Sequence, residues 1–250
     1  MGTIRLTIAY DGTPFAGWAA QPGLRTIQAE LERVLGTILQ RPASLTVAGR
    51  TDAGVHAWGQ VASFDAPVEL PDGLLRRVNS MLPPEIAVLR AEPAPAGFDA
   101  RRDATSRTYC YRVIAGPVRN PLEPRRALWW PQPVDDDVLD RCAAALVGTH
   151  DFTAFTPTQT EHVRFTRAVL HAEWRAHPLA EPLPGRLLEL WIEADAFMRH
   201  MVRVLVGTML ETGQGRRSVE EFESLLHGAP RERAGETAPP HGLYLASVRY

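Results

Sequence analysis

Ile4, Leu6, Ile8 and Tyr10 alternate with small or polar residues, a period of two that predicts a strand. Asp11-Gly12-Thr13-Pro14 follows as a turn. The period changes at Thr26: Ile27, Leu31, Val34, Leu35, Ile38 and Leu39 recur at helical spacing behind a threonine suited to cap the helix. Apolar segments Leu45 to Ala48 and Val61 to Phe64 predict two strands. Leu74, Leu75, Val78, Met81 and Leu82 predict a second helix, which Pro83-Pro84 ends. Glu85 to Ala91 predicts one more strand. The order is β-α-β-β-α-β, that of a ferredoxin-like unit.

The second half repeats this order without repeating its residues. Thr105 to Ile114 predicts a strand, and the proline-rich stretch 116–134 a loop. Asp135-Asp136-Asp137 opens a helix through Val147, its acids placed where the helix dipole favours them. Strands are expected near 164–176 and 187–195, a long helix from about Phe197 to Glu211, a short one from Ser218 to His227, and a last strand from Leu243 to Tyr250. The fold class expected is α+β: two tandem ferredoxin-like units, residues 1–104 and 105–250, with antiparallel sheets side by side and a cleft between them.

Composition narrows the class of molecule. The chain has 250 residues, 45% apolar and 22% charged, in the range of globular proteins. No apolar run approaches the roughly 20 residues that span a bilayer. Met1-Gly2-Thr3-Ile4-Arg5 enters a strand pattern at once, so no signal peptide is expected. Two cysteines, Cys110 and Cys142, with no CxxC pair argue against a structural zinc or a disulfide framework. A cytoplasmic location is expected. The net charge of −2 does not announce a nucleic-acid binder, but all 27 basic residues are arginine. Seven of them (Arg101, Arg102, Arg107, Arg112, Arg119, Arg125 and Arg126) face only Asp103 and Glu123 within residues 101–126. Such a window reads either as a polyanion surface or as a solvated charged face.

Three segments carry candidate chemistry. In Gly49-Arg50-Thr51-Asp52-Ala53-Gly54-Val55-His56 a carboxylate stands between an arginine and a histidine, in a loop with glycine near both ends. A carboxylate serves as nucleophile or base, and aspartate is also a common turn residue. Arg50 is a cation at hand for it, and His56 is either a base or a structural histidine. In Arg107-Thr108-Tyr109-Cys110-Tyr111 the two tyrosines share one face of a strand. Each is suited to stack on a base or to fill a core. In Asp195-Ala196-Phe197-Met198-Arg199-His200-Met201-Val202-Arg203, Arg203 lies beside the apolar face and needs a partner there, because burying an unpaired charge is costly. Arg199 and His200 fall on other faces and suit phosphate.

Together these segments resemble the tRNA pseudouridine synthase A family over nearly the whole chain. The resemblance runs through Tyr10-Asp11-Gly12-Thr13, Gly17-Trp18, the Gly49–Ala57 segment, Asn79-Ser80-Met81-Leu82-Pro83, Phe98-Asp99-Ala100-Arg101, Arg107–Tyr111, Phe197–Arg203 and His241-Gly242-Leu243-Tyr244-Leu245. It implies isomerisation of uridine to pseudouridine at tRNA positions 38, 39 and 40, in the anticodon stem-loop. It implies no metal or organic cofactor, and a homodimer in which one tRNA contacts both subunits. Asp52 matches the family's catalytic aspartate, Tyr109 the tyrosine packed on the target base, and Arg203 the arginine paired with that aspartate. Arg50, Arg101, Arg107, Arg199 and His200 are the further expected substrate contacts. Ala19 departs from the pattern, standing where the family usually carries glutamine. The competing reading is a non-catalytic tRNA-binding or RNA-folding protein; a small-molecule hydrolase using Asp52 and His56 is the weaker third.

Overall fold

The computed structural model describes residues 2–66, 72–160 and 163–250, so Met1, where the expected strand pattern starts, lies outside the described residues. The protein is α+β, with ten strands in mixed parallel and antiparallel pairing among the described residues. Contacts divide it into two compact units, Met1–Thr105 with Tyr244–Tyr250, and Ser106–Leu243. Among the described residues, no helix is long and apolar enough to cross a membrane.

In the first unit, β1 (Gly2–Tyr10) is central and pairs antiparallel with β3 (His56–Ala66) on one side and β4 (Ile86–Ala94) on the other. The far edge of β3 takes two partners. β2 (Thr46–Val47) pairs antiparallel at Ala62 and Ser63, and β10 (Leu243–Arg249) pairs parallel at His56 and Ala57. Gly59 lies between these pairings. A Cβ there would stand 2.5 Å from the Ala246 carbonyl oxygen, so only glycine permits the close approach. Helix α1 (Ile27–Leu39) begins where Thr26 predicts, the threonine side chain accepting from Ala29 N–H. Its inward face of Ile27, Leu31, Val34, Leu35 and Ile38 is buried, as are Ile4, Leu6 and Ile8 of β1. Helix α2 (Leu74–Met81) stops one residue before Pro83-Pro84, as expected.

In the second unit, β5 (Ser106–Ala115), β9 (Arg186–Ala194), β8 (Thr166–Pro178) and β7 (Gly148–Asp151) pair antiparallel in that order. Helix α3 (Asp136–Leu146), capped by Asp135, packs on β8, on α4 (Met201–Gly213) and on α5 (Val219–Ser224). Two expectations change here. The stretch 116–134 is not all loop. Leu128–Trp130 forms β6, parallel to β5 from Val113 to Ala115 and preceded by a turn. Its three apolar residues pair despite the prolines because Pro124 and Pro131 both fall outside the ladder.

The long helix starts at Met201 rather than Phe197. Asp195 Oδ1 accepts from Ala196 N–H and Ala168 N–H, at 2.7 and 3.1 Å, which fixes the chain in a non-helical course. A turn from Met198 C=O to Met201 N–H follows, with His200 at φ 62, in the left-handed region. Phe197 is therefore off the helix, and its ring meets Tyr109 edge-on at 4.9 Å.

Candidate active site

Asp52 opens a tight turn, its carbonyl accepting from Val55 N–H at 3.1 Å with Gly54 at φ 77. The side chain is half-buried, between an exposed Ala53 and a buried Thr51. What fixes the turn lies mainly in a different segment, Tyr10 to Trp18. Trp18 N–H donates to the Thr51 carbonyl at 3.0 Å, and Tyr10 Oη lies 2.7 Å from Thr51 Oγ1. Gln60 Nε2 donates to the Gly49 carbonyl at 2.7 Å. On the other flank, Gly12 N–H donates to His56 Nδ1 at 3.1 Å.

Two glycines make this proximity possible. A Cβ on Gly12 would stand 2.0 Å from the Val55 carbonyl oxygen. One on Gly17, itself at φ 97, would stand 2.9 Å from the Thr51 carbonyl oxygen. Both distances lie inside atomic contact, so the Asp52 turn and the 11–18 segment fit only as long as these positions lack side chains. The sequence marks Gly49 and Gly54 as the glycines of the loop. The two that clamp it lie some forty residues upstream, and the signal that could have found them is Gly12 and Gly17 spaced across a segment ending in a buried tryptophan.

His56 is buried and sits in an aromatic stack. Its ring lies 4.6 Å from Tyr244, whose ring is also 4.4 Å from Trp58. Its Nδ1, which accepts from Gly12 N–H, also lies 3.2 Å from Asp11 Oδ1, and that carboxylate accepts from Thr13 N–H at 3.0 Å. His56 thus holds the Asp11–Gly12 turn beside the Asp52 turn.

The other expected residues have distinct settings. Arg50 and Arg101 are exposed in the first unit, with Asp52. Tyr109, Arg107, Arg199, His200 and Arg203 are in the second. Tyr109 is buried to 8% exposure beside Phe197. Its strand neighbour Tyr111 is fully buried and donates to the Pro239 carbonyl at 2.8 Å; burial pushes its hydroxyl far above the usual tyrosine range. Arg107 donates to the Asp195 carbonyl at 3.0 Å. Arg203 is half-buried, and its Nε donates to the Ala238 carbonyl at 2.7 Å. Arg199 is exposed, and His200 occupies the left-handed turn position.

The arginine-rich window is less charged than its sequence implies. Arg112 is paired with Glu123 at 2.9 Å and Glu189 at 3.3 Å. Arg102 is paired with Asp99 at 3.0 Å, and N–H groups of Arg102 and Arg101 hold the Asp99 carboxyl below the usual carboxylate range. Glu189, the unforeseen acid, comes from β9, opposite Arg112 in the ladder.

Comparison with known proteins agrees with the motifs. A family model described as tRNA pseudouridine synthase matches residues 142–250. A tRNA pseudouridine synthase A from Frankia casuarinae is 44% identical over 99% of this chain and 89% of its own length. Those from Paraburkholderia phymatum and Bacillus pumilus are 39% and 38% identical, over 100% and 99% of this chain and 91% and 98% of theirs. A solved structure of an unknown protein from Galdieria sulphuraria overlaps 88% of this chain and 92% of its own at 14% identity, with a TM-score of 0.24. At about 40% identity along its full length to such relatives, the chain belongs to the tRNA pseudouridine synthase A family.

Proposed function

We infer that the Asp52 turn is where this protein isomerises uridine to pseudouridine in the anticodon stem-loop of tRNA, at positions 38, 39 and 40. The observation that carries the reading is the Asp52 turn itself. A half-buried carboxylate stands at the first residue of a turn whose backbone is fixed on both flanks. Glycosidic isomerisation needs such a group. The C–N bond breaks, the base turns over and a C–C bond forms, with a carboxylate starting the sequence. The target base must first leave its stack, at a cost of a few kcal/mol. A carboxylate carried on a fixed backbone has less freedom to lose on the way to the transition state.

The other roles follow the family resemblance. Tyr109 packs on the target base, Arg203 is the counter-ion of Asp52, and Arg50, Arg101, Arg107, Arg199 and His200 contact the tRNA. The edge contact of Phe197 with Tyr109 supports a ring held in one orientation. The exposure of Arg50, Arg101 and Arg199 suits phosphate contact. We propose further that the protein acts in the cytoplasm as a homodimer without a cofactor. Its two halves, 1–104 and 105–250, would each be a ferredoxin-like unit. The antiparallel order β4-β1-β3-β2 supports that reading for the first half.

The test is incubation with unmodified tRNA transcripts, followed by mapping of pseudouridine. Wild-type protein is expected to modify positions 38–40, and Asp52→Ala to modify none. Modification by Asp52→Ala at near wild-type rate would remove Asp52 from the mechanism. Retention of biological activity by that variant would favour a non-catalytic RNA-binding protein.

A further inference from the structure

Behind the Asp52 turn lies a buried polar chain that packing alone does not call for. Tyr10 ends β1, Gln60 lies in the middle of β3, and Thr51 immediately precedes Asp52. Their exposures are 5, 0 and 7%. A phenylalanine, a leucine and a valine would fill similar space with no polar atom to satisfy. Burying three hydrogen-bonding side chains is costly unless all are paired.

They are paired, from Gln60 outward. Gln60 Nε2 has only hydrogens to offer. It donates to the Gly49 carbonyl at 2.7 Å and to Tyr10 Oη at 3.3 Å, while Oε1 accepts from Val61 N–H at 3.1 Å. Tyr10 Oη accepts from Gln60 and shares a second hydrogen bond with the hydroxyl 2.7 Å away, Thr51 Oγ1. Burial pushes the Tyr10 pKa up to about 12, so the proton stays on the phenol at any working pH. The chain runs from Gln60 through Tyr10 to Thr51, and Gln60 also holds the Gly49 carbonyl. Two points of the backbone leading into Asp52 are thus tied to the centre of β3 through side chains. The ring of Tyr10 is itself set against Trp18, at a centroid distance of 6.0 Å, and Trp18 N–H holds the Thr51 carbonyl.

We propose that Tyr10 is a positioning residue for Asp52, acting through the Thr51 hydroxyl with Gln60 as its anchor. The proposal rests on reading Asp52 as the reactive carboxylate. Removing the phenol hydroxyl leaves the β1 strand and the tyrosine ring in place but frees the Thr51 side chain. Asp52 then samples orientations other than the productive one. A misplacement of about 1 Å in a reacting group costs about a hundredfold in rate. Binding of the tRNA, spread over a far larger surface, should scarcely register it.

The test uses Tyr10→Phe, Thr51→Val, Thr51→Ser, the double variant Tyr10→Phe/Thr51→Val, and Asp52→Asn. Each is assayed for kcat and KM on an anticodon stem-loop transcript. For Tyr10→Phe the expectation is a fall in kcat of about ten- to a hundredfold, with KM within about twofold of wild type. Thr51→Ser, which keeps the hydroxyl, should retain activity near wild type, whereas Thr51→Val should fall as Tyr10→Phe does. The double variant should be no worse than the poorer single one, because both changes break one chain. A folded Tyr10→Phe with wild-type kcat, beside an inactive Asp52→Asn, overturns the positioning role and leaves Asp52 in place. So does a double variant whose losses multiply. If Tyr10→Phe fails to fold, equal activity of Thr51→Ser and Thr51→Val overturns the role in its place. An active Asp52→Asn overturns the underlying reading instead.

Discussion

The Asp52 turn and the arginine-rich window at residues 101–126 both draw the eye in the sequence, and they are built in opposite ways. The turn carries one candidate reactive side chain on a segment held at Gly49, Thr51 and His56 by bonds from elsewhere in its unit. The window carries seven arginines. Two of these, Arg102 and Arg112, are paired with acids, Arg119 lies over the Trp129 ring, and Arg101, Arg125 and Arg126 are exposed. Preorganisation at one site and adaptable charge at the other suit different tasks. Chemistry requires a group held in place, whereas tRNA backbone recognition tolerates long side chains that settle on contact.

That contrast breaks most readily at Gly12. Gly12→Ala places a Cβ 2.0 Å from the Val55 carbonyl oxygen, and backbone cannot yield as a side-chain tip does. A stability loss of about 2–3 kcal/mol is expected, with kcat reduced in the protein that remains folded. Urea melts and steady-state kinetics check the two effects. An unchanged melt and rate would mean that the turn is not clamped.

Arg112 sharpens the comparison from the other side. Its side chain is 15% exposed between Glu123 and Glu189, so Arg112→Met should act on stability rather than on RNA. A loss of about 2 kcal/mol in urea melts is expected, because two acids lose their partner in a poorly solvated place. Affinity for tRNA in a filter-binding assay should change less than about threefold. A large affinity loss with an unchanged melt would return Arg112 to the RNA surface.

Arg199 gives the smallest effect. It is exposed, so Arg199→Gln should leave stability within about 0.5 kcal/mol. It should weaken tRNA binding a few-fold and flatten the salt dependence of binding by about one phosphate contact. A fall in kcat at saturating tRNA would place Arg199 nearer the chemistry than its exposure implies.

Much of this was legible in the sequence because the elements that matter are strongly periodic. The β1 alternation, the α1 face behind Thr26 and the Pro83-Pro84 stop all appear as expected. The start of α4 did not, because apolar spacing from Phe197 onward is compatible with helix. Only the tertiary bond from Asp195 to Ala168 N–H redirects the chain. β6 was hidden by prolines that turn out to flank it. At the site, the octapeptide around Asp52 is plain, but its supports are not. Tyr10 reads as the end of a strand, Gln60 as a polar interruption and Gly12 as an ordinary turn residue. Their common role appears only when β1 and β3 lie side by side, bringing residues forty to fifty positions apart within hydrogen-bond reach. The same holds for Glu189, which neutralises Arg112 from across the β5–β9 ladder.

Single-turnover conversion of an anticodon stem-loop transcript by Asp52→Asn tests the role of Asp52 most directly, with binding of the same transcript measured alongside. The exchange removes the charge and keeps the shape. The prediction is a rate at least about a thousandfold below wild type, about 4 kcal/mol of barrier, with binding affinity within about threefold. Conversion within tenfold of wild type, at equal binding, would contradict it.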